Sequence, residues 1–169
     1  MGTIIGIRPL LKVRRRLRAQ KKVVVFTNGT FDIIHRGHVE YLTKAKRLGD
    51  VLVVGLNTDA SIRRIKGAGR PFNPNRDRAI VLAALSPVDY VCFFGEDTPK
   101  RIIDLLRPDV LVKGADWLKK DIVGRDTVEQ NGGMVCTVRL TPNRSTTSIA
   151  ERVLAAYNRR RSTRHRRTR

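Results

Sequence analysis

The residues best suited to chemistry lie in one short stretch, FTNGTFDIIHRGHVEYL, from Phe26 to Leu42. The chain has three histidines, and two of them, His35 and His38, form an H-x-G-H segment around Gly37. The third, His165, lies in a basic C-terminal run. The pair follows an apolar run and an Asn28-Gly29-Thr30 turn, so His38 is expected in the first turn of a helix. A helix N-terminus attracts anions through its unpaired N–H groups and its dipole. Imidazoles placed there can donate hydrogen bonds to phosphate oxygens, most usefully where charge builds up in a transition state. Gly37 lets another group come close to the backbone. On the residues alone two other readings stay open: structural histidines, or a metal pair to which Asp32 would add a ligand.

A second candidate segment is NRSTTSIAER, residues 143–152. Ser148 and Glu151 have the S-x-x-E spacing of a capping box, which predicts a helix from about Ser148. Arg144, Ser145, Thr146, Thr147 and Ser148 would then surround that N-terminus with hydroxyls and a guanidinium. Such a set suits a polyphosphate, and is equally compatible with an ordinary Ser/Thr-rich cap. Other phosphate and nucleophile signatures are absent. There is no G-x-x-x-x-G-K-[ST], the GAG at 67–69 lacks the spacing of a dinucleotide fingerprint, and no Ser or Cys sits in an elbow motif.

The elements that must position these groups follow from apolar patterning. KKVVVF (21–26), DVLVVGLN (50–57), DYVCFF (89–94), DVLVKG (109–114) and MVCTVRL (134–140) read as five buried strands. Helical spacing separates them over 37–48, 59–65 and 75–86, then after Thr98-Pro99, around 127–130, and from Ser148 onward; Thr98 is the expected cap of its helix. Continuous apolar strands alternating with amphipathic helices predict a doubly wound α/β fold, a parallel five-stranded Rossmann-like sheet of order 3-2-1-4-5. Ligands in such sheets bind beyond the carboxyl ends of the strands. That rule points to Thr27–His38, Asn57–Asp59, Gly114–Trp117 and Asn143–Ser148.

The charge is uneven. The formal net charge is +20, but residues 1–22 and 157–169 hold eight and seven Lys/Arg with no acidic residue, leaving a net of +5 for 23–156. The expected organisation is therefore a basic N-terminal extension (1–20), a domain over 21–157, and a basic, disordered tail (158–169). The ends could contact nucleic acid or an anionic surface through counterion release, or act as solvated extensions. No apolar run is long enough to cross a bilayer, and residues 1–22 lack a signal-peptide pattern, so a cytoplasmic protein is expected. Cys92 and Cys136 fall in strand-like runs and match no zinc or redox spacing, so buried free thiols are expected.

G-T-F-D-x-x-H-x-G-H at 29–38, with R-S-T-T-S-I at 144–149, resembles the nucleotidyltransferase superfamily that includes the cytidylyltransferases. RPFNPNRDRAIVLAALSPVDYV, EDTPKRIIDLLRPDVLVKGADW and RSTTSIAERV narrow the resemblance to the nucleotidyltransferase domain of bacterial heptose 1-phosphate adenylyltransferases. It covers about residues 21–156. In many bacteria that domain is fused to a sugar kinase, and its absence here implies a stand-alone form. Thr30 and the Asp116-Trp117 pair are instead similar to glycerol-3-phosphate cytidylyltransferases, and Asn143 stands where a glycine is common.

The resemblance implies transfer of AMP from ATP to heptose 1-phosphate with release of pyrophosphate, giving ADP-heptose for cell-envelope glycan synthesis. It implies direct in-line attack and a homodimer, and because the sequence shows no all-protein metal cage, Mg²⁺ is expected as the triphosphate counterion. His35, His38 and Lys66 would be catalytic. Asn28, Gly29, Thr30, Phe31, Asp32, Lys113, Gly114, Asp116, Trp117, Arg144, Ser145, Thr146 and Thr147 would hold the nucleotide. Asn57, Asp59, Lys66 and Arg78 would face the acceptor. The alternatives are a cytidylyltransferase using CTP and glycerol 3-phosphate or another small phosphorylated substrate, and a nucleic-acid or membrane binding module using the basic tails.

Overall fold

The computed structural model describes residues 1–115, 118–142 and 144–166. In chain order the strands are β1 (Thr3–Ile4), β2 (Val24–Gly29), β3 (Val51–Asn57), β4 (Tyr90–Phe94), β5 (Val110–Gly114) and β6 (Met134–Val138). The helices are α1 (Ile7–Ala19), α2 (Arg36–Lys46), α3 (Asp59–Lys66), α4 (Asn75–Ala84), α5 (Lys100–Leu106), α6 (Arg125–Gln130) and α7 (Thr146–Arg166). The strands pair in parallel in the order β1-β4-β3-β2-β5-β6. The winding reverses between β2 and β5, and the crevice at that switch point opens beyond Asn28-Gly29 and Lys113-Gly114.

Alternation inside each apolar run explains why both faces are covered. Val25 and Val54 point into one core with Leu42 and Ala45 of α2 and Ala79 and Leu82 of α4. Val24, Phe26 and Val53 point into the other with Leu10 and Leu17 of α1, Ile103 and Leu106 of α5, and Val128 of α6.

Two expectations about the ends are corrected. The sheet has six strands, because the five expected strands keep their order and β1 adds outside β4. A two-residue strand has no readable periodicity. It is fixed instead by Thr3 N–H donating to Asp89 O (2.8 Å) and Ile5 N–H donating to Val91 O (2.9 Å). Residues 1–20 are thus part of the domain and not an extension. In α1, Leu10 and Leu17 are buried, and so is Arg14 between them. The Arg14 guanidinium donates to Arg107 O (2.8 Å) and pairs with Asp109 (2.8 Å), tying α1 to the turn between α5 and β5. At the other end, the tail expected to be disordered from 158 continues α7 to Arg166, and residues 151–159 are exposed.

Cys92 on β4 and Cys136 on β6 are free, and β3, β2 and β5 lie between their strands. Four strand spacings of ~4.8 Å separate them by about 19 Å, beyond the ~7 Å Cα limit for a disulfide. Burial pushes the Cys92 thiol up to about 11, so little thiolate is present at neutral pH. Thiol titration of the non-reduced protein should give two thiols after denaturation, with Cys92 reacting slowly in the native state. An intact mass two hydrogens short, from an internal disulfide, would contradict this strand order.

Candidate functional site

The H-x-G-H segment builds the floor of the site. His35 is the N-cap of α2, with extended backbone at φ −142°, ψ 169°. His38 N–H donates to His35 O (2.9 Å), closing the first turn. The three-residue step then stacks the two imidazoles, with centroids 3.9 Å apart and an interplanar angle of 17°. Phe31 meets His38 edge-on at 5.1 Å. A Cβ on Gly37 would stand 3.1 Å from the His35 ring and 3.2 Å from Arg144 Cβ, so any larger residue would push the His35 ring or the segment before α7 back by a few tenths of an ångström. Both Nδ1 atoms are buried without a hydrogen-bond partner among the described residues.

Burial, then the neighbouring His35 ring and the Lys66 ammonium, push the His38 imidazole down to about 4. Burial and then the Arg144 guanidinium also lower His35. The His38 ring is therefore neutral at pH 7. Between the ordinary value of 6.5 and about 4, the unfolded chain binds the His38 proton and the folded chain does not. Stability from this residue is complete above 6.5 and declines as pH falls toward 4. Thermal melts of wild type and His38→Asn across that window should show a shallower acid decline in the variant. Parallel curves would contradict the buried neutral imidazole.

The second phosphate-suited segment caps α7. Ser148 N–H donates to Ser145 Oγ (3.0 Å) and Ser145 N–H donates to Ser148 Oγ (3.3 Å), a reciprocal box. The helix therefore starts at Thr146 and not near Ser148. Ser148 has a box partner at either three-residue step, and the backbone closes on Ser145, leaving Glu151 exposed on the next turn. Side chains fasten this segment to α2 and its entry loop. Thr141 Oγ1 donates to Glu40, Lys44 Nζ donates to Arg139 O (3.3 Å), and Thr146 Oγ1 donates to Ile33 O (3.5 Å). The Glu40 carboxyl lies below its ordinary value because Thr141 and then Arg36 donate to it.

These elements enclose one cavity of about 590 Å³ beyond the strand ends. Its wall includes His35, His38, Lys66 and Asn57. Asn28, Gly29, Thr30 and Phe31 line it from β2 and its loop, and Lys113 and Gly114 from β5. Arg144, Ser145, Thr146 and Thr147 line it from the start of α7. Lys113 Nζ donates to Asn28 Oδ1 across the β2–β5 switch point. Asp116, Trp117 and Asn143 lie outside the described residues.

Three expected ligands have other work. Arg78 is 1% exposed, and its guanidinium donates to Asn73 O (3.0 Å), Thr30 O (2.7 Å), Asn57 O (2.9 Å) and Asp59 Oδ1 (2.7 Å). It is a buried clamp on two cavity loops, with no reach to a phosphate, and Asp59 is its counter-ion. Asp32 is 5% exposed and accepts from Phe72 N–H, Asn73 N–H and Arg70 Nη1, fixing the segment after α3. Burial would raise its carboxyl, but the Asn73 and Phe72 amides and then Arg70 outweigh it and hold it below the usual range.

Residues missed by sequence reasoning also line the cavity: Tyr41, Ile65, Asp97, Thr98, Leu140 and Thr141. The strand-end rule would have found Asp97 and Thr98 had it been applied after β4. Thr98 is not the helix cap expected for it. The N-cap of α5 is Pro99 with no side-chain cap bond, and the Thr98 hydroxyl has no partner among the described residues.

A doubly wound sheet with H-x-G-H under one wall of the switch-point cavity and R-S-T-T on another defines a class. The cytidylyltransferase-like family model matches residues 26–167, and the chain belongs to that family. Within it, the chain is 56% identical over 152 residues to the bifunctional protein HldE of Syntrophotalea carbinolica, covering 90% of this chain and 30% of that protein. It is 48% identical over 152 residues to the bifunctional protein HldE of Helicobacter pylori, covering 90% and 32%. The chain thus spans about 30% of the length of the curated relatives it matches. The solved lipopolysaccharide core biosynthesis protein from Thermoplasma volcanium superposes with a TM-score of 0.59 at 28% identity, covering 71% of this chain and 97% of that one.

Proposed function

We propose that the chain transfers AMP from ATP to heptose 1-phosphate and releases pyrophosphate. The observation that carries this reading is the convergence of the stacked His35–His38 pair and the Arg144–Thr147 segment on one cavity at the sheet's switch point. The HldE relatives and the lipopolysaccharide core biosynthesis structure support the choice of sugar phosphate over other acceptors.

In this reading an acceptor phosphate oxygen attacks the α-phosphorus of ATP. A new P–O bond forms, and the bond to the bridging oxygen of pyrophosphate breaks. Charge grows on the α-phosphate and on the leaving group, and fixed donors there lower the barrier. His35 and His38 would hold the α-phosphate through the part of each residue that lines the cavity. Arg144 and the hydroxyls of Ser145, Thr146 and Thr147 would hold the β- and γ-phosphates at the α7 N-terminus. Lys66 would neutralise the acceptor phosphate, and Lys113–Trp117 would take the base. Mg²⁺ would arrive on the triphosphate oxygens, as expected for a cation that keeps few protein ligands and binds through substrate phosphates. Mg²⁺ supplies charge neutralisation on the phosphates when bound. A homodimer accompanies this reading, as the family resemblance implies. Among the described residues, no helix is long and apolar enough to cross a membrane.

The test crosses ATP, CTP, GTP and UTP with heptose 1-phosphate, glycerol 3-phosphate and phosphoethanolamine, reading pyrophosphate release. ATP with heptose 1-phosphate should exceed every other pair by at least about tenfold, the reach of base and acceptor contacts. CTP with glycerol 3-phosphate as the best pair would replace this reading with the cytidylyltransferase alternative. Release from no pair, with tight salt-sensitive RNA binding, would favour the binding module.

A further inference from the structure

The wall of the cavity at the ends of β3 and β4 differs chemically from the rest. Histidines, Lys66, Lys113, Arg144 and the α7 hydroxyls surround the other sides, a lining for phosphates. The β4 end contributes Asp97 and Thr98 instead. A carboxylate repels a phosphate and accepts hydrogen bonds from alcohols.

This wall is held in place before any ligand arrives. Arg64 of α3 grips Asp97 Oδ1 (2.7 Å) and donates to Gly95 O (2.6 Å), while Ser61 Oγ donates to Glu96 O (2.9 Å). Asp97 Oδ2 and the Thr98 hydroxyl have no partner among the described residues, although Thr98 stands where a helix cap was expected. Asp97 is thus anchored by Arg64, and it lines the cavity beside Thr98 at an exposed rim.

We infer that Asp97 and Thr98 form a polyol-reading wall that binds the hydroxyls of the acceptor sugar beyond its phosphate. This rests on the transferase reading and assigns the specificity for a hydroxyl-rich acceptor to residues outside the two phosphate motifs. Asp97 accepts from a sugar hydroxyl through the oxygen that Arg64 does not engage. Thr98 accepts from or donates to a neighbouring hydroxyl.

The experiment measures pyrophosphate release by the full chain with ATP and heptose 1-phosphate, for wild type, Asp97→Asn, Thr98→Val and Thr98→Ser. Thr98→Val and Asp97→Asn should each raise the acceptor KM about tenfold, as expected for one lost hydrogen bond to a bound polyol. The KM for ATP should stay within about twofold, and Thr98→Ser should restore the acceptor KM. Glycerol 3-phosphate, with fewer hydroxyls, should gain relative to heptose 1-phosphate in both defective variants. Melting curves confirm folding, and Thr98→Ala takes the place of valine if valine lowers the melting temperature. An active wild type with unchanged acceptor KM in the variants overturns the polyol wall and leaves the transferase reading standing. A rise in the ATP KM alone also overturns it, by turning the wall toward the nucleotide. A wild type that uses no sugar phosphate overturns both.

Discussion

Replacing His38 with alanine is expected to lower turnover by about two orders of magnitude or more, while ATP affinity falls much less. The ring lies against Phe31 and over His35 in the first turn of α2, so it is fixed before the reaction begins. A donor held this way acts most where charge develops at the α-phosphate, and losing one such donor costs ~10²–10³ in rate. In the proposed reading the substrate phosphates would retain Arg144, the α7 hydroxyls and Lys66, so binding would keep most of its contacts. Alanine also opens space beside His35, so a melting curve must show a folded variant. Pyrophosphate release gives kcat, and calorimetry gives the ATP dissociation constant. Near wild-type turnover in folded His38→Ala protein would remove the histidines from the mechanism.

The second large effect concerns the two basic ends, which should behave oppositely. Removing residues 1–20 deletes β1 and α1, and with them the buried Leu10 and Leu17 and the Arg14 clamp. It also uncovers Phe94, Ile103 and Leu106, which share a core with that helix. Each lost leucine is worth ~2–5 kcal/mol, a large share of the ~5–15 kcal/mol available to a domain. The truncated protein should be unfolded or aggregated at 37 °C (a temperature typical of such tests, roughly where mesophile margins are small). Removing residues 159–169 deletes seven arginines and no apolar residue, and should leave the urea midpoint nearly unchanged. A stable, cooperatively folding protein without residues 1–20 would refute the structural role of α1.

These contrasts show what the sequence could convey. β2 to β6 were legible because parallel strands covered on both faces must be continuously apolar, as Val51 to Leu56 are. The H-x-G-H and R-S-T-T segments were legible because their residue types are unusual at strand ends. α1 was hidden because Arg14 occupies a core position between Leu10 and Leu17, and its neutralising partners lie some ninety residues away at Leu106, Arg107 and Asp109. Arg78 misled for the same reason, since its acceptors come from three separate places in the chain, at Thr30, at Asn57 and Asp59, and at Asn73. Thr141 with Glu40 joins residues 101 apart, a pairing that local pattern does not encode. Thr98 fitted a local capping rule, and the turn of the backbone at Pro99 left its hydroxyl free.

The central claim is direct adenylyl transfer between two bound phosphates in the cavity at the switch point. Phosphorus NMR of the protein with ATP, Mg²⁺ and heptose 1-phosphate tests it in one sample. ADP-heptose and pyrophosphate should appear in equal amounts as ATP and heptose 1-phosphate disappear, with neither AMP nor inorganic phosphate formed. ATP consumed to AMP or ADP with heptose 1-phosphate unchanged, or no change in either substrate, would contradict it.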